Sequence, residues 1–132
     1  MKIIISLLLI VVLGCLFLFF PPDPTDPYYE SDHISYWYYT DKDIKNSPRI
    51  TQDYSFSYVP PDGGQRESST ITFKGISDTK DLQKYLEGLG YKRYRVTDNG
   101  RNESWFSEKG GVIFEIWHDR KLNMIILTKT TM

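Results

Sequence analysis

Alternation of apolar and polar residues predicts two neighbouring strands in the middle of the chain. Residues 54–58 read Tyr-Ser-Phe-Ser-Tyr, and residues 70–73 read Thr-Ile-Thr-Phe. A period of two is typical of strands that bury one face. Between the two segments lies Pro-Pro-Asp-Gly-Gly at 60–64, which is a strong turn-forming run. We therefore expect a β-hairpin here.

Residues 77–91 have the period of an amphipathic helix. Ser77 or Asp78 is suited to the N-cap, and Gly90 is suited to end the helix in the left-handed conformation. A helix with one apolar face must pack on another layer, which here is a sheet. The apolar residues of that face recur at spacings of three and four: Leu82, Tyr85, Leu86 and Leu89.

The C-terminal part of the chain returns to strand patterns. Met-Ile-Ile-Leu at 124–127 is apolar enough for a central strand. Turn signals separate strands at roughly 91–97, 103–107, 112–118 and 124–130. The predicted fold is α+β: a small antiparallel sheet with one packed helix, preceded by an N-terminal membrane anchor helix.

The N-terminal segment 3–20 is apolar and carries no charge. As a helix it would extend about 27 Å, close to the roughly 30 Å of a bilayer's hydrocarbon core. Lys2 precedes it, acidic residues follow it, and no lysine or arginine occurs between Lys2 and Lys42. The positive-inside rule then predicts a single-pass protein of the cell membrane with a cytoplasmic N-terminus and a periplasmic C-terminal domain. The predicted parts are an N-terminal transmembrane anchor or lipoprotein-type signal at 1–20, a spacer rich in proline and aspartate at 21–32, and a periplasmic α+β domain at 33–132.

Two alternatives to the uncleaved anchor remain open. Val-Leu-Gly-Cys at 12–15 resembles the lipobox of bacterial lipoproteins, which implies cleavage before Cys15 and acylation of its thiol. A lipoprotein usually continues with a polar tether, whereas residues 16–20 are Leu-Phe-Leu-Phe-Phe, and this favours the uncleaved helix. Cleavage near the prolines, which would release the domain, is the second alternative. All three routes export the domain.

Charge and cysteine content narrow the class of function. Sixteen basic and seventeen acidic residues give a net charge of -1, so we expect no nucleic-acid partner. A single cysteine allows no intrachain disulfide and no thiol-based metal site. We predict no metal and no cofactor.

The sequence carries no motif of a known catalytic chemistry, so we predict that the protein is not an enzyme. Its two histidines are His33 and His118, far apart along the chain. His118 and Asp119 could act as a base and its orienting carboxylate, but a strand end entering a polar turn explains them better. His33, in an acidic stretch, is expected to lie in solvated linker.

Aromatic residues are concentrated at 28–39, which favours a protein-binding role. Tyrosine and tryptophan bury a large area at low rotamer cost and keep a polar tip. We predict a strand here, with Tyr36 and Tyr38 on one face and Trp37 and Tyr39 on the other. One pair would serve the core and the other pair a partner. In the alternative, the helix and the spacer cover both faces, and neither pair binds a partner.

Residues 91–95, Tyr-Lys-Arg-Tyr-Arg, interleave basic and aromatic side chains. Single-strand nucleic-acid binders do the same, but the predicted export argues against that partner. In a strand, Arg93 and Arg95 would share one face. We therefore include both arginines among the candidate partner-binding residues, as contacts to an acidic protein surface.

The layout as a whole resembles the membrane-tethered periplasmic immunity proteins that bacteria keep against secreted antibacterial effectors, including those of type VI secretion. The resemblance lies in VLGCLFLFFPP at 12–22, the acidic spacer, and the stretches YWYYTDKDIKNSPRI at 36–50 and ITFKG at 71–75. It implies a non-catalytic inhibitor that covers a toxin's active site. The alternative is a non-catalytic accessory subunit of an envelope or secretion assembly.

Overall fold

The computed structural model describes residues 1–19 and 27–132. The first helix, α1, covers Lys2–Phe19, and each of its side chains whose exposure is described is exposed. Within the described ranges no helix has both the length and the apolar character needed to cross a membrane. Phe20, at the end of the predicted anchor, and residues 21–26 of the predicted spacer lie outside the described residues.

Two short helices, α2 (His33–Tyr39) and α3 (Lys42–Lys45), precede the sheet. The strand predicted around Tyr36 to Tyr39 is therefore wrong. The backbone N–H of Tyr36 donates to the carbonyl of Asp32 at 2.9 Å, which closes a helical turn. Four consecutive aromatic residues have no period of two, so tertiary packing decides their conformation.

Six antiparallel strands form one sheet in the order β1-β2-β6-β5-β4-β3. The predicted hairpin is confirmed, with Phe56 opposite Ile71, and the apolar segment 124–127 lies in an interior strand as predicted. The strands are β1 (Tyr54–Val59), β2 (Ser68–Lys74), β3 (Lys92–Thr97), β4 (Asn102–Phe106), β5 (Val112–Asp119) and β6 (Met124–Thr131). A 3-10 turn at Asp98–Gly100 joins β3 to β4.

The predicted amphipathic helix is confirmed as α4, Lys80–Gly88. Its N-cap position is Thr79, while the carboxylate of Asp78 accepts a hydrogen bond from the Lys80 N–H at 2.9 Å. Gly90 has a φ of 90°, as a glycine that ends a helix requires. The prediction of one packed helix is incomplete, because α3 also buries an apolar side chain, Ile44.

The core lies between these helices and one face of the sheet. Leu82 and Leu86 of α4 are fully buried, and the hydroxyl of Tyr85 donates to the carbonyl of Asp43 at 2.7 Å, which joins α4 to α3. Burial of each large apolar side chain contributes about 1.5–3 kcal/mol. The sheet contributes these fully buried or nearly buried side chains to the core: Phe56, Ile71, Phe73, Trp105, Phe114, Ile116, Ile125 and Leu127.

A register shift in β3 corrects the predicted basic face. Arg93 lies opposite Trp105 and Arg95 lies opposite Ser104, with the irregularity between the two arginines. Trp105 and Ser104 are consecutive strand residues and project to opposite faces. The two arginines therefore do not share a face. Arg93 lies on the helix-covered side, with its guanidinium 3.7 Å from the Glu103 carboxylate.

Candidate protein-binding site

Helix α2 presents an apolar face to solvent. Ile34, Trp37 and Tyr38 lie at the i, i+3, i+4 spacing that places side chains on one helix face. Their exposed fractions are 52%, 73% and 48%, and Trp37 is the most exposed aromatic side chain among those described. We call these three residues the outer face of α2. Because large exposed apolar patches occur at interaction surfaces, this face is the candidate binding surface of the domain.

The opposite side of α2 packs on the sheet. The ring centroids of Tyr36 and Phe56 lie 5.0 Å apart, and those of Tyr39 and Tyr58 lie 5.1 Å apart. Of the four aromatic residues predicted to bind a partner, Tyr36 and Tyr39 thus contribute to packing, and Trp37 and Tyr38 are exposed. The predicted pairs, Tyr36 with Tyr38 and Trp37 with Tyr39, are therefore wrong, because the segment is a helix and not a strand.

Arg49 binds the segment that carries α2 to the residues that follow α3 and to β1. Its Nη2 donates to the Glu30 carboxylate at 2.8 Å, and its Nη1 donates to the Ser47 carbonyl at 2.7 Å. The guanidinium carbon also lies 5.1 Å from the centre of the Tyr54 ring and 5.4 Å from that of Phe56. One planar cation therefore joins three parts of the chain and holds the segment that carries α2 in place.

Lys129 of β6 is held between two carboxylates. Its Nζ lies 2.8 Å from Asp41 Oδ1 and 2.7 Å from Asp43 Oδ2, and only 14% of its side chain is exposed. Burial alone would lower the pKa of Lys129, but its hydrogen bonds to Asp41 and Asp43 outweigh burial and raise the pKa. Lys129 thus stays a charged ammonium, which is unsuited to act as a nucleophile, and it ties α3 to the sheet.

A cleft of about 290 Å³ lies between the α2–α3 segment and the sheet. We call it the tyrosine cleft, because Tyr38, Tyr39 and Tyr58 line it together with Asp41, Glu67 and Lys129. The Tyr58 hydroxyl donates to Glu67 Oε1 at 2.9 Å. Burial and this nearby carboxylate raise the pKa of Tyr58 to about 12.

Alkaline titration checks this electrostatic setting. Because the pKa of Tyr58 is near 12 in the folded chain and 10 in the unfolded chain, the unfolded chain loses the proton first. Stability is therefore expected to fall as the pH rises from about 10 to about 12. In Tyr58→Phe, tyrosinate absorbance should lose one tyrosine from the late-titrating component. An unchanged late component in Tyr58→Phe would contradict the assignment.

Asp119, the acid next to His118, has a structural role. Asp119 Oδ1 accepts hydrogen bonds from the N–H groups of Lys121 and Leu122 at 2.9 and 3.0 Å, so this carboxylate closes a turn. His33 is exposed at the start of α2. In the ranges 1–19 and 27–132 no three metal-ligating side chains are grouped. Cys15, the alternative lipidation site, lies exposed in α1.

Glu67, Lys129 and Ile34 are residues of the site that sequence reasoning missed. A signal existed for Lys129, because alternation in β6 places it on the same face as Ile125 and Leu127, which are buried. A charge at a core position indicates a partner. Nothing local identifies that partner, since Asp41 and Lys129 are separated by 88 residues.

Comparisons with protein-family models, with curated proteins and with solved structures found no match to this chain. No relative therefore assigns a role to any residue.

Proposed function

We propose that the protein is a membrane-anchored periplasmic binding protein, and specifically an immunity protein that binds and inhibits a secreted antibacterial effector. The outer face of α2 is the contact surface. The observation that carries this proposal is the 73% exposure of Trp37 on a helix whose other side is packed. Tryptophan and tyrosine are the residue types that most often dominate binding energy at protein interfaces.

Rigidity of the surface supports this role. The Nζ of Lys45 donates to the Trp37 carbonyl at 2.8 Å, next to the end of α2, and Arg49 fixes the segment that follows. A surface ordered in advance loses less conformational entropy when a partner binds. An inhibitor that must occlude a toxin gains affinity from this order without any catalytic group.

The membrane location is the second part of the proposal. The apolar sequence of residues 3–20 and the charges around it support a single-pass anchor with the domain outside the cytoplasm. Acylation of Cys15 after cleavage is the alternative anchor. Both leave the outer face of α2 on the exported part of the chain.

A specific observation also favours the alternative of an accessory subunit in an envelope assembly. On the sheet face opposite the helices, Trp117 of β5 lies directly across from Ile126 of β6, and both side chains are only half-buried. A second apolar area suits a permanent contact with a neighbouring subunit. The two functions differ in the partner, which is a secreted toxin in one case and a resident envelope protein in the other.

Competition between cells, combined with capture by the full-length protein in a non-ionic detergent, tests the proposal. Cells that lack the protein should die beside sister cells that secrete the effector, and the wild-type gene should restore survival. Purified full-length protein should bind that effector. Trp37→Ala should weaken binding by about 2–4 kcal/mol, which is roughly 30-fold to 1,000-fold.

Tyr94→Ala is the matched control, because Tyr94 is an aromatic residue 57% exposed on β3. This variant should bind as the wild type does. Capture of resident envelope subunits and no effect on survival would favour the accessory role. Equal affinity of Trp37→Ala and wild type would remove the outer face of α2 from either function.

A further inference from the structure

The tyrosine cleft adjoins the outer face of α2, because Tyr38 belongs to both. A partner that covers the outer face of α2 therefore contacts a side chain that also lines this cleft. We propose that the tyrosine cleft receives one cationic side chain, a lysine or an arginine, of the protein partner. This inference rests on the proposed function, in that it requires a protein on the outer face of α2, and it names the chemistry that such a protein must present.

The aromatic lining is the first reason. The rings of Tyr38 and Tyr39 lie 5.0 Å apart with planes at 72°, and the Tyr58 ring lies 5.1 Å from that of Tyr39. The three rings therefore form one continuous aromatic group in the lining of the cleft. Cations are attracted to ring faces within about 6 Å, and groups of aromatic rings are a known way to bind ammonium groups.

The charge of the lining is the second reason. Glu67 and Asp41 are carboxylates, and Lys129 is the only cation among the residues that line the cleft. Lys129 is already bonded to Asp41 and, outside the lining, to Asp43. The lining thus holds two carboxylates and one ammonium, and the charge of that ammonium is also shared with Asp43. The net charge of the cleft is therefore negative. The pKa of Tyr58, raised by burial and by Glu67, agrees with this sign.

The position of the Glu67 carboxylate is the third reason. The hydroxyl of Tyr58 holds it through Oε1 at 2.9 Å. Among the described residues, Glu67 Oε2 has no hydrogen-bond or ion-pair partner. That oxygen is therefore available to accept a hydrogen bond from an ammonium or a guanidinium. Such a charge-assisted hydrogen bond is stronger than one between two neutral groups.

The volume fits one side chain. The cleft measures about 290 Å³, just below the roughly 300–1,000 Å³ typical of small-molecule sites. Liquid water would fill it with about ten molecules, at roughly 30 Å³ each. A single long side chain entering from a partner's surface displaces part of that water and keeps its charged end near Glu67.

Titration of the full-length protein in a non-ionic detergent with blocked amino acids tests the inference without knowledge of the partner. The probes are the N-acetyl methylamides of lysine and arginine, and the neutral control is that of norleucine. Amide resonances of residues 38–41 and 67–69 should shift saturably with either cationic probe and stay unchanged with norleucine. Glu67→Gln should weaken the binding of both probes about fivefold or more, which is the range of a partly exposed cation contact.

Three outcomes would overturn the inference: shifts of equal size with norleucine, unchanged affinity in Glu67→Gln, or shifts confined to residues outside the cleft. Resonances of β5 and β6 that keep their positions in Glu67→Gln show that the variant is folded. Failure here with a positive Trp37→Ala result leaves the protein-binding function in place and removes only the cationic contact. Loss of the Trp37 effect together with cation binding in the cleft would contradict the proposed function instead.

Discussion

Replacing Phe56 by alanine is expected to destabilise the folded domain by about 3–5 kcal/mol, the range for removal of a buried phenylalanine side chain. Phe56 is 1% exposed and lies under the segment that carries α2. Its ring is 6.0 Å from that of Tyr28 and 5.0 Å from that of Tyr36. For a domain of about 100 residues this loss lowers Tm by about 15 °C or more, measurable by circular dichroism.

The same substitution should loosen α2 more than the rest of the domain. Backbone hydrogen bonds join Tyr28 to Phe56 in both directions, at 2.9 and 2.8 Å, and they form the only described bridge of the N-terminal segment to β1. Amide exchange at 33–39 is therefore expected to accelerate more than exchange in β5 and β6. Ser57→Ala, at the next position on the opposite face, is the control and should change stability by less than about 0.5 kcal/mol. A loss below about 1 kcal/mol in Phe56→Ala would show that this region is not part of the cooperative core.

Elements with strong periodicity could be predicted from the sequence. The hairpin around the turn at 60–64 and helix α4 both combine a regular apolar period with clear end signals, and local and tertiary preferences agree there. The four successive apolar residues at 124–127 predict a central position for β6, because they need cover on both faces of the sheet. In each case the pattern that decides the structure lies within one continuous segment: 54–73 for the hairpin, 77–91 for α4 and 124–127 for β6.

Segments whose structure depends on distant contacts could not be predicted. Tyr36 to Tyr39 form a helix because Phe56 and Tyr58 of β1 receive the inner side chains, and aromatic residues have no strong helix preference of their own. The register shift between Arg93 and Arg95 could not be predicted either, because the segment contains no glycine, the residue that often marks a β-bulge. The tyrosine cleft combines residues from α2, β1, β2 and β6, so the sequence reveals its composition but not its existence.

Replacing Lys129 by methionine is expected to destabilise the domain by about 2–3 kcal/mol. The substitution leaves two carboxylates close together without their cation, and removal of one member of a buried ion pair costs about 3–5 kcal/mol. We expect a loss below that range because the side chains of Asp41 and Asp43 are 34% and 28% exposed, so water solvates both carboxylates in part. Thermal unfolding of the full-length protein in a non-ionic detergent should show Tm lowered by about 10 °C.

The sign of the effect at high pH follows from the pKa of Lys129, which is raised above its usual 10.5 in the folded state. Its stabilisation is present below about pH 10.5 and is lost as the pH rises through the folded-state pKa. The stability of wild type and Lys129→Met should therefore converge above that pH. At neutral pH, the triple variant Lys129→Met, Asp41→Asn, Asp43→Asn should regain at least half of the loss, because no unpaired carboxylate remains. Asp41 is the N-cap of α3, where its side chain accepts a hydrogen bond from the Asp43 N–H, and asparagine is as good an N-cap as aspartate. If the three substitutions add their separate losses instead, Lys129 stabilises the domain through packing of its alkyl chain and not through its charge.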